Sequence, residues 1–537
     1  PCKTACPAHI AVQGYLKLAA QGKYREALQL IKRENPFPAV CGRICNRRCE
    51  DACTRGTVDQ AVAIDEVKRF IAQQDLDAAT RFVPEKVIPK VDGEFDQQIA
   101  VIGGGPAGLS CAYYLAEKGY RPTVFEKEQR LGGMLENGLP SFRLEKDVVQ
   151  AEIDVLREMG VQFRCGVEVG KDVTIAQLRQ EGFRGFYVAV GLQSGGKLDI
   201  PGGDAQGVMA GIDFMRQVNG GQCSKLAGPV VVIGGGNIAA DVARTAVRCG
   251  AESVDLYCLE GYDEMPMGAE DRSECERDGV TIHAGWGQTE VVTRDGHAAG
   301  IRFRKCLRVK DDQGRFAPVF DDNDACEAAC ATVLYCIGQK VDWRQLLTGT
   351  AVTFNPNGTA QVDPVTYQTA EPDIFAGGDA VTGQKFAIDA IAAGKEGAIS
   401  LHRFVQKATL TIGRNRRQFV ELDKENALIP VGFDNTPRQR IGYNEALRRT
   451  FRDERVAFTA EQVQKETARC LSCGASVVDP NKCIGCGVCT TKCAFDAIHL
   501  HRERPECTNM IPSEDKMKAI LPYMVKRQIK IRKAGKK

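Results

Sequence analysis

Cysteines are concentrated near both ends of this 537-residue sequence, at spacings that suit metal ligation. Toward the C-terminal end, the run Cys483-x-x-Cys486-x-x-Cys489-x-x-x-Cys493 has the spacing of a bacterial ferredoxin loop. Four thiolates at these positions suit a [4Fe–4S] cluster, whereas structural zinc loops favour two separated Cys-x-x-Cys pairs. The run therefore predicts one [4Fe–4S] cluster.

Three more cysteines flank this run: Cys470 and Cys473 precede it, and Cys507 follows it. They lie close enough in sequence to join Cys493 in a second C-terminal cluster. The usual position of a third cysteine is missing from this set, so a single C-terminal cluster is the alternative hypothesis.

Six cysteines form the other concentration, within residues 2–53. They are Cys2, Cys6, Cys41, Cys45, Cys49 and Cys53. A secreted disulfide scaffold is short and rich in cysteine throughout, whereas here two dense ends flank a long centre. The pattern predicts metal ligation at both ends, in a reducing and therefore cytoplasmic compartment.

Two glycine-rich turns in the centre predict dinucleotide binding. One turn contains Gly103, Gly105, Pro106, Ala107 and Gly108, and the other contains Gly234, Gly236, Asn237, Ile238 and Ala239. The first glycine allows a tight turn, the second lets the backbone approach a pyrophosphate, and the third small residue lets helix and strand pack closely. The helix N-terminus then offers free N–H groups to the phosphates.

Each turn is the start of a repeated strand–helix–strand unit. A second strand is predicted over 122–126 in the first unit and over 253–258 in the second. Glu126 ends the first of these strands and Glu260 follows the other, where a carboxylate can hold a ribose hydroxyl. The repeat predicts an α/β fold with two doubly wound, Rossmann-like domains that bind two different dinucleotides.

Charge and hydropathy exclude other classes of protein. Lys plus Arg is 71 and Asp plus Glu is 69, a net charge of +2, which argues against a nucleic-acid binder. No apolar run approaches the roughly 18 residues that span a bilayer. The sequence begins at Pro1 without a signal-peptide pattern, so we expect a processed or missing N-terminal segment.

Further motifs resemble those of flavoproteins with two dinucleotide domains. They are Gly132-Gly133, Val190-Gly191, Ile337-Gly338-Gln339, and the run 374–379 that ends in Gly378-Asp379. With the cysteine spacing of 2–53 and Ala468-Arg469-Cys470-Leu471, the chain resembles the glutamate synthase small subunit and the N-terminal half of dihydropyrimidine dehydrogenase over roughly 1–475. The resemblance implies FAD at the first turn, NAD(P) at the second, and Asp379 against the flavin ribityl chain.

The composition and motifs, together with the resemblance, predict a division of the chain. We predict an N-terminal helical iron–sulfur domain and a C-terminal ferredoxin-like segment around the dinucleotide domains. The segments are 1–95 (helical iron–sulfur domain), 96–204 and 346–405 (FAD domain), 205–345 (NAD(P) domain), 406–465 (helical connector), 466–510 (ferredoxin-like) and 511–537 (basic tail).

The resemblance assigns the N-terminal thiols to two clusters. One takes Cys6, Cys45 and Cys49 with a side-chain oxygen from the next helix; that position is Lys68 here, so Glu66 or Cys41 would substitute. The other takes Cys2 and Cys53 with an upstream Cys-x-x-Cys that would precede Pro1, so it is absent or completed from a missing segment or a partner. The predicted total is two to four [4Fe–4S] clusters.

Disulfide reductases share the two-domain plan but place a redox cysteine pair against the flavin. No cysteine lies between Leu131 and Glu145, and Cys326 and Cys330, in a predicted loop, do not form a Cys-x-x-Cys pair. We therefore expect no thiol–disulfide chemistry.

The nicotinamide preference depends on the end of one strand. NADPH-using relatives have Tyr-Arg-Arg there, whereas here Tyr257 is followed by Cys258 and Leu259, with Glu260 next. A carboxylate favours a ribose 2′-hydroxyl over a 2′-phosphate, so we predict NADH. Arg272 or Arg304 reaching from a loop would restore NADPH binding.

A flavin can connect two-electron hydride transfer with one-electron transfer to clusters. We therefore hypothesise an NAD(P)H-dependent FAD and iron–sulfur oxidoreductase that exchanges electrons with a ferredoxin or a partner subunit, including one in an electron-bifurcating complex. No catalytic acid or base is predicted. The alternatives are a glutamate synthase small subunit, disfavoured by the extension after Cys473, and an electron-transfer module without its own nicotinamide reaction.

Overall fold

The computed structural model describes residues 1–85, 95–223, 225–414, 423, 432–473, 483–492, 498–500 and 511–534. These residues form two compact units. The first contains the described residues as far as 473, and the second contains those from 483 onward.

The N-terminal domain is helical, as predicted. Its helices are α1 (Cys2–Ala5), α2 (Val12–Ala20), α3 (Tyr24–Lys32), α4 (Pro38–Ile44), α5 (Arg48–Asp51) and α6 (Ile64–Ala72). Gly22, with φ of +70°, separates α2 from α3, because a glycine adopts this left-handed conformation at little cost.

Residues 41–53, which contain four of the cysteines, include the end of α4 and all of α5. Helix α4 forms because Pro38 fits its first turn and a buried carboxylate binds its free N–H groups. Glu152 accepts hydrogen bonds from the N–H groups of Ala39 at 2.8 Å and Val40 at 2.9 Å. This carboxylate comes from a helix of the central region, so the sequence around 41–53 holds no sign of it.

The remaining described elements of the first unit form two five-stranded sheets, three smaller sheets and the helices between them. The strands are β1 (Gln98–Ile102), β2 (Thr123–Glu126), β3 (Gln162–Cys165), β4 (Phe183–Val188), β5 (Ser194–Gly195), β6 (Val208–Ala210), β7 (Val230–Ile233), β8 (Val254–Cys258), β9 (Val280–Ala284), β10 (Trp286–Arg294), β11 (His297–Lys310), β12 (Phe316–Ala329), β13 (Thr332–Tyr335), β14 (Gln339–Lys340), β15 (Ile374–Ala376), β16 (Gly442–Tyr443) and β17 (Arg455–Val456). The helices are α7 (Pro106–Glu117), α8 (Met134–Asn137), α9 (Lys146–Glu158), α10 (Ile175–Gln180), α11 (Gly211–Asn219), α12 (Asn237–Arg248), α13 (Ala269–Asp278), α14 (Asp379–Thr382), α15 (Ala387–Val405) and α16 (Ala460–Ala468).

The two predicted dinucleotide domains each contain a five-stranded parallel sheet. The first has the order β15-β4-β1-β2-β3 and the second has the order β6-β13-β7-β8-β9. Strands β1 and β7 are almost wholly buried, as expected for parallel strands covered on both faces. The repeat is confirmed, because β1-α7-β2 and β7-α12-β8 have the same order and α7 and α12 are 12 residues each.

Two other expectations were wrong. Cys326 lies on β12, in an antiparallel β10-β11-β12 sheet, and not in a loop. In the described part of the predicted helical connector, the residues lie mainly in coil and turns, with the short pair β16–β17, a 3₁₀ turn at Glu445–Leu447 and an α-helix only from Ala460. Its arginines bind distant groups, as Arg438 binds Glu50 at 2.6 Å, so they do not stabilise a local helix.

The second unit contains α17 (Val488–Lys492) and α18 (Lys516–Ala534). Among the described residues of the whole chain, no helix combines the length and the apolar character that a membrane span requires.

Candidate functional site

A cavity of about 1000 Å³ brings the two glycine turns together. Most of the predicted dinucleotide-binding residues line it. They are Gly103, Gly105, Pro106, Ala107, Glu126, Gly133, Gly191, Gly236, Asn237, Ile238, Glu260, Gly378 and Asp379. One cavity therefore holds the candidate groups for both nucleotides.

Five predicted residues lie outside the cavity lining: Gly108, Gly132, Gly234, Ala239 and Gly338. Gly108 packs against the turn, since a Cβ there would lie 2.0 Å from the carbonyl oxygen of Gly103. Gly234 has a φ of +138°, which a side chain strongly disfavours. These five residues therefore influence the conformation of the backbone behind the cavity and are not part of the cavity surface.

The first glycine turn lies beside a groove whose walls are formed by backbone atoms of glycine residues. A Cβ on Gly133 would lie 2.9 Å from the Cα of Gly105, and a Cβ on Gly378 would lie 2.9 Å from the Cβ of Ala107. Helix α7 begins here with Pro106 and no side-chain cap, so its free N–H groups point to the groove. The groove fits the pyrophosphate of a dinucleotide such as FAD.

The two predicted ribose-binding carboxylates differ in their surroundings. Glu126 is buried and accepts hydrogen bonds from the N–H groups of Gly104 at 2.7 Å and Glu128 at 2.9 Å. Burial raises its pKa, and these two donors oppose the rise. Glu260 is only partly buried and stands over the second turn, where a Cβ on Gly235 would lie 2.7 Å from its Oε2.

The arginines that could restore a 2′-phosphate site bind other groups. Arg272 donates to the carbonyl of Tyr262 at 2.9 Å. Arg304 pairs with Asp322 at 2.9 Å and stacks on a phenylalanine ring. Neither arginine is among the residues that line the cavity.

An ion pair that the sequence did not predict joins the two dinucleotide domains. Arg143 and Asp241 both line the cavity, and Arg143 Nε donates to Asp241 Oδ1 at 2.6 Å. Burial raises the pKa of Asp241 to about 6, while Arg143 opposes that rise. Asp241 follows Asn237 by one helical turn, so the sequence weakly indicates that it lies on the same side of the helix as the second glycine turn. The sequence around Arg143 does not indicate that this residue lies at the cavity.

Asp379 is the first residue of α14 and lines the cavity beside the first turn. Burial raises its pKa to about 6, although the backbone N–H of Lys385 donates to it and lowers it. Asp379 therefore lies beside the first turn, where the resemblance implies a contact with the ribityl chain of the flavin.

Three N-terminal thiols, those of Cys41, Cys45 and Cys49, lie around the buried ammonium of Lys68. Burial raises the pKa of Cys41, Cys45 and Cys49, and Lys68 opposes the rise in each. Cys6 adds to the rise in Cys45, so their sulfurs also lie near each other. Of the two candidate substitutes for the fourth ligand, Cys41 belongs to this group, whereas the charges acting on Glu66 come chiefly from Asp65, Arg47, Arg69 and Arg455.

This thiol group adjoins the cavity. Ile44, the neighbour of Cys45, is part of the cavity lining. Arg48, the neighbour of Cys49, forms two hydrogen bonds with Asp389 of α15, at 2.9 and 3.2 Å. The N-terminal domain is therefore fastened directly against the candidate flavin site.

The remaining cysteines fall into two places. Cys470 and Cys473 belong to the first unit, where they lie against the N-terminal domain, near Cys2 and Cys53. Cys483, Cys486 and Cys489 are exposed in the second unit, around Gly485 and Gly487 with φ of +69° and +78°. Cys493 and Cys507 lie outside the described residues.

The thiols present the donor set that iron–sulfur clusters require. Among described residues, no three His, Cys, Asp or Glu side chains are close enough to bind a single metal ion. A [4Fe–4S] cluster takes each thiolate on a different iron atom, so its ligands stand further apart than those of one ion.

The described cysteines offer no redox pair to the cavity. Cys336 is the one described cysteine in the lining, and burial raises its pKa to about 12, which disfavours the reactive thiolate. Cys326 and Cys330 do not line it.

Comparisons with known proteins agree with this geometry. Residues 97–394 match the family described as pyridine nucleotide-disulphide oxidoreductase, residues 1–80 match dihydropyrimidine dehydrogenase domain II with a 4Fe-4S cluster, and residues 476–499 match the 4Fe-4S binding domain. The predicted resemblance and the fold class are thereby confirmed.

Curated relatives include the NADP(+)-dependent formate dehydrogenase subunit beta of Moorella thermoacetica, 34% identical over 88% of this chain and 70% of its own. The NADPH-Fe(3+) oxidoreductase subunit beta of Geobacter sulfurreducens is 29% identical over 88% of this chain and 75% of its own. The glutamate synthase [NADPH] small chain of Halomonas elongata is 32% identical over 74% of this chain and 86% of its own.

Among solved structures, FprA from Mycobacterium tuberculosis superposes with a TM-score of 0.51 at 17% identity, over 58% of this chain and 85% of that one. At this identity the likeness shows the fold alone. The family matches and the relatives together identify an FAD- and NAD(P)-dependent oxidoreductase with 4Fe-4S domains. This chain belongs to the pyridine nucleotide-disulphide oxidoreductase family.

Proposed function

We propose that this chain passes electrons between a nicotinamide nucleotide and [4Fe–4S] clusters through FAD, and exchanges them with a ferredoxin or a partner subunit. The observation that carries the proposal is the single cavity lined by both glycine turns and by Ile44, next to Cys45. Bound FAD would supply the conversion between hydride transfer and single-electron transfer.

The residues of the cavity have separate tasks in this proposal. Backbone N–H groups at the starts of α7 and α12 bind the two pyrophosphates, and Glu126 and Glu260 bind ribose hydroxyls. Asp379 binds the flavin side chain. The Arg143–Asp241 pair holds the two dinucleotide domains in register, so that the two nucleotides meet with little water between them.

We propose Cys6, Cys41, Cys45 and Cys49 as the ligands of the cluster beside the cavity. Three of these thiols lie around Lys68, and Cys6 lies near Cys45, so the ammonium would offset part of the negative charge of the thiolates. The proposal also keeps Cys483, Cys486 and Cys489 with Cys493 as the ferredoxin-type site, which the match at 476–499 supports.

We propose NADH as the preferred nucleotide because of Glu260. Its carboxylate stands over the second turn, and both nearby arginines are engaged with protein groups. The names of the formate dehydrogenase, Fe(3+) oxidoreductase and glutamate synthase relatives all refer to NADP(H), so this preference has to be measured directly.

A glutamate synthase small subunit is the second candidate, since one such relative is covered over 86% of its length. The 4Fe-4S match at 476–499 lies beyond the part of the chain that the resemblance explains. Co-purification with a large synthase subunit, and glutamate formation by the complex, would favour this candidate over a ferredoxin-linked role.

The test is an anaerobic titration of the full chain after purification with FAD, iron and sulfide. We expect NADH to bleach the flavin absorbance and to produce the EPR signals of reduced clusters. Gly236→Glu, which places a carboxylate in the predicted pyrophosphate site, should keep FAD and the dithionite-reduced EPR signals but lose reduction by NADH.

Flavin bleaching without cluster reduction would contradict the relay. No bleaching by either nucleotide would instead favour an electron-transfer module without its own nicotinamide reaction. Bifurcation predicts that reduction of a low-potential ferredoxin depends on a second, high-potential acceptor in the same assay.

A further inference from the structure

The Cys470–Cys473 segment is fastened to the N-terminal domain on both sides. Before the pair, the carbonyl of Arg469 accepts a hydrogen bond from Arg55 at 3.0 Å. At its end, the carbonyl of Cys473 accepts one from Gln13 at 2.5 Å. Because Arg55 follows Cys53 by two residues, the first of these bonds brings Cys470 toward Cys53.

A buried arginine strengthens this attachment. The side chain of Arg469 is fully buried, and it donates to Asp59 at 2.9 Å and to the carbonyl of Gln60 at 2.6 Å. Helix α16, which leads into the segment, packs against α2. Arg469 also donates to the carbonyl of Thr436 and to Glu466, so this arginine, without solvent exposure, fixes the position of the next residue, Cys470.

The thiols themselves converge. Cys2 lies on α1, which packs against α5 just before Cys53, and Cys470 packs against the same core as Cys2. Cys2 lies close enough to Cys53 and Cys470, and Cys470 close enough to Cys53 and Cys473, for their sulfurs to interact electrostatically.

The geometry points to one [4Fe–4S] cluster shared by two distant parts of the chain, an inference that rests on the proposed function. Its four ligands are Cys2, Cys53, Cys470 and Cys473. In the proteins that the chain resembles, a Cys-x-x-Cys pair upstream of the equivalent of Cys2 supplies two thiolates to this cluster. In this chain the Cys470-x-x-Cys473 pair supplies them, so the pair is not part of a second C-terminal cluster.

The backbone of the pair supports this role. Ser472 has a φ of +53°, a left-handed conformation that is uncommon for a residue other than glycine. It lies between the two thiols, where the chain turns back toward the domain. Such strain persists where the surrounding structure holds it, and here the hydrogen bonds of Arg469 and Gln13 lie on either side.

The test counts iron in the anaerobically purified full chain carrying single and double alanine substitutions. Cys2→Ala and Cys470→Ala should each remove about four irons per chain and the same EPR signal, and the double variant should remove no more than either single one. Cys470→Ala combined with Cys483→Ala should remove about eight. Cys223→Ala, at a partly buried thiol outside both groups, is the matched control and should keep all the iron.

A loss of about eight irons in the Cys2/Cys470 double variant would overturn the shared cluster, while the proposed function would stand. A loss of only four in the Cys470/Cys483 variant would place the pair in the C-terminal cluster. Iron absent from the unsubstituted protein would contradict the proposed function itself.

A second measurement does not depend on how well the variants fold. Alkylation of the unsubstituted protein before and after iron removal, followed by mass spectrometry, should show the four thiols becoming reactive together. Reactivity of Cys470 and Cys473 in the iron-loaded protein would contradict the inference. The FAD-to-chain ratio of each variant reports whether the dinucleotide domains remain folded.

Discussion

The two glycine turns share a motif but differ in how far the protein encloses them. At the first turn, Gly133 and Gly378 approach so closely that a Cβ on either would crowd the turn or its helix. At the second, no heavy atom of the described residues lies within 4 Å of a Cβ built on Gly236. Backbone of two other segments therefore covers the start of α7 at the first turn, whereas at the second turn side chains such as that of Glu260 approach Gly235 and leave Gly236 uncovered.

The carboxylates show the same difference. Glu126 is buried and already bonded to the backbone of its own turn, whereas Glu260 is partly exposed at the cavity. Enclosure suits a cofactor that stays bound, and openness suits a nucleotide that binds and leaves in each cycle. The same local motif can therefore serve retention or exchange, depending on what the rest of the chain places over it.

We expect the largest effect from a substitution that disrupts the first glycine turn. In Gly108→Ala the new Cβ would meet the Gly103 carbonyl oxygen at 2.0 Å, so the turn must open and we expect the purified protein to lose FAD. Ala239→Gly, at the matching position of the second turn, should cost only about 1 kcal/mol and keep FAD. Flavin absorbance per chain measures both, and full FAD occupancy in Gly108→Ala would contradict the role of close packing.

We expect the next largest effect from breaking the ion pair that joins the two dinucleotide domains. Arg143→Ala leaves the buried Asp241 carboxylate without its cation, and we expect about 3–5 kcal/mol of destabilisation. Adding Asp241→Asn should recover part of that loss, because Asp271 is then the only charged partner of Arg143 at 2.6 Å or closer that still lacks its cation. Thermal unfolding of the unsubstituted protein and the two variants checks this, and an unchanged midpoint in Arg143→Ala would show that the sites are held together elsewhere.

A smaller effect concerns acid titration beside the first turn. The pKa of Asp379 is raised to about 6, so the folded state holds a proton that the unfolded state releases. Its contribution to stability is therefore greatest below about pH 4 and declines, by about 2–3 kcal/mol, as pH rises to about 6.

Asp379→Asn should remove that decline when the unfolding of the flavin-free chain is followed from pH 4 to 7. Asp363→Asn is the control with the opposite sign, because hydrogen bonds from Thr366 hold the pKa of Asp363 below its usual value. Identical pH profiles for the unsubstituted protein and Asp379→Asn would contradict the assignment.

The smallest expected effect distinguishes the roles of the two carboxylates, Glu126 and Glu260. Glu260→Gln removes the charge that repels a 2′-phosphate, and we expect the ratio of kcat/KM for NADPH to that for NADH to rise about tenfold, or about 1.4 kcal/mol. Glu126→Gln should weaken FAD binding and leave that ratio unchanged. A ratio that shifts in Glu126→Gln but not in Glu260→Gln would reverse the two assignments.

The features predictable from sequence are those that a few adjacent residues determine. The glycine turns, the strand–helix–strand repeat and the break at Gly22 each follow from local conformational limits, and the structure has them all. The carboxylate of Glu152 under α4 and the Arg143–Asp241 pair join segments about 100 residues apart, and no local pattern encodes such partners. The cysteine spacing predicted ligands but not their grouping, because the chain path decides which thiols meet.

The burial of the N-terminal thiols has a consequence for biogenesis. Cys2, Cys6, Cys41 and Cys49 are each less than 10% exposed, and Glu152 and Asp389 fasten their domain to the central sheets. A scaffold protein that delivers preassembled iron and sulfide needs direct access to these sulfurs. Cluster delivery must therefore precede the closing of this domain onto its neighbours, and a chain that closes empty would mature slowly, since it has to reopen first.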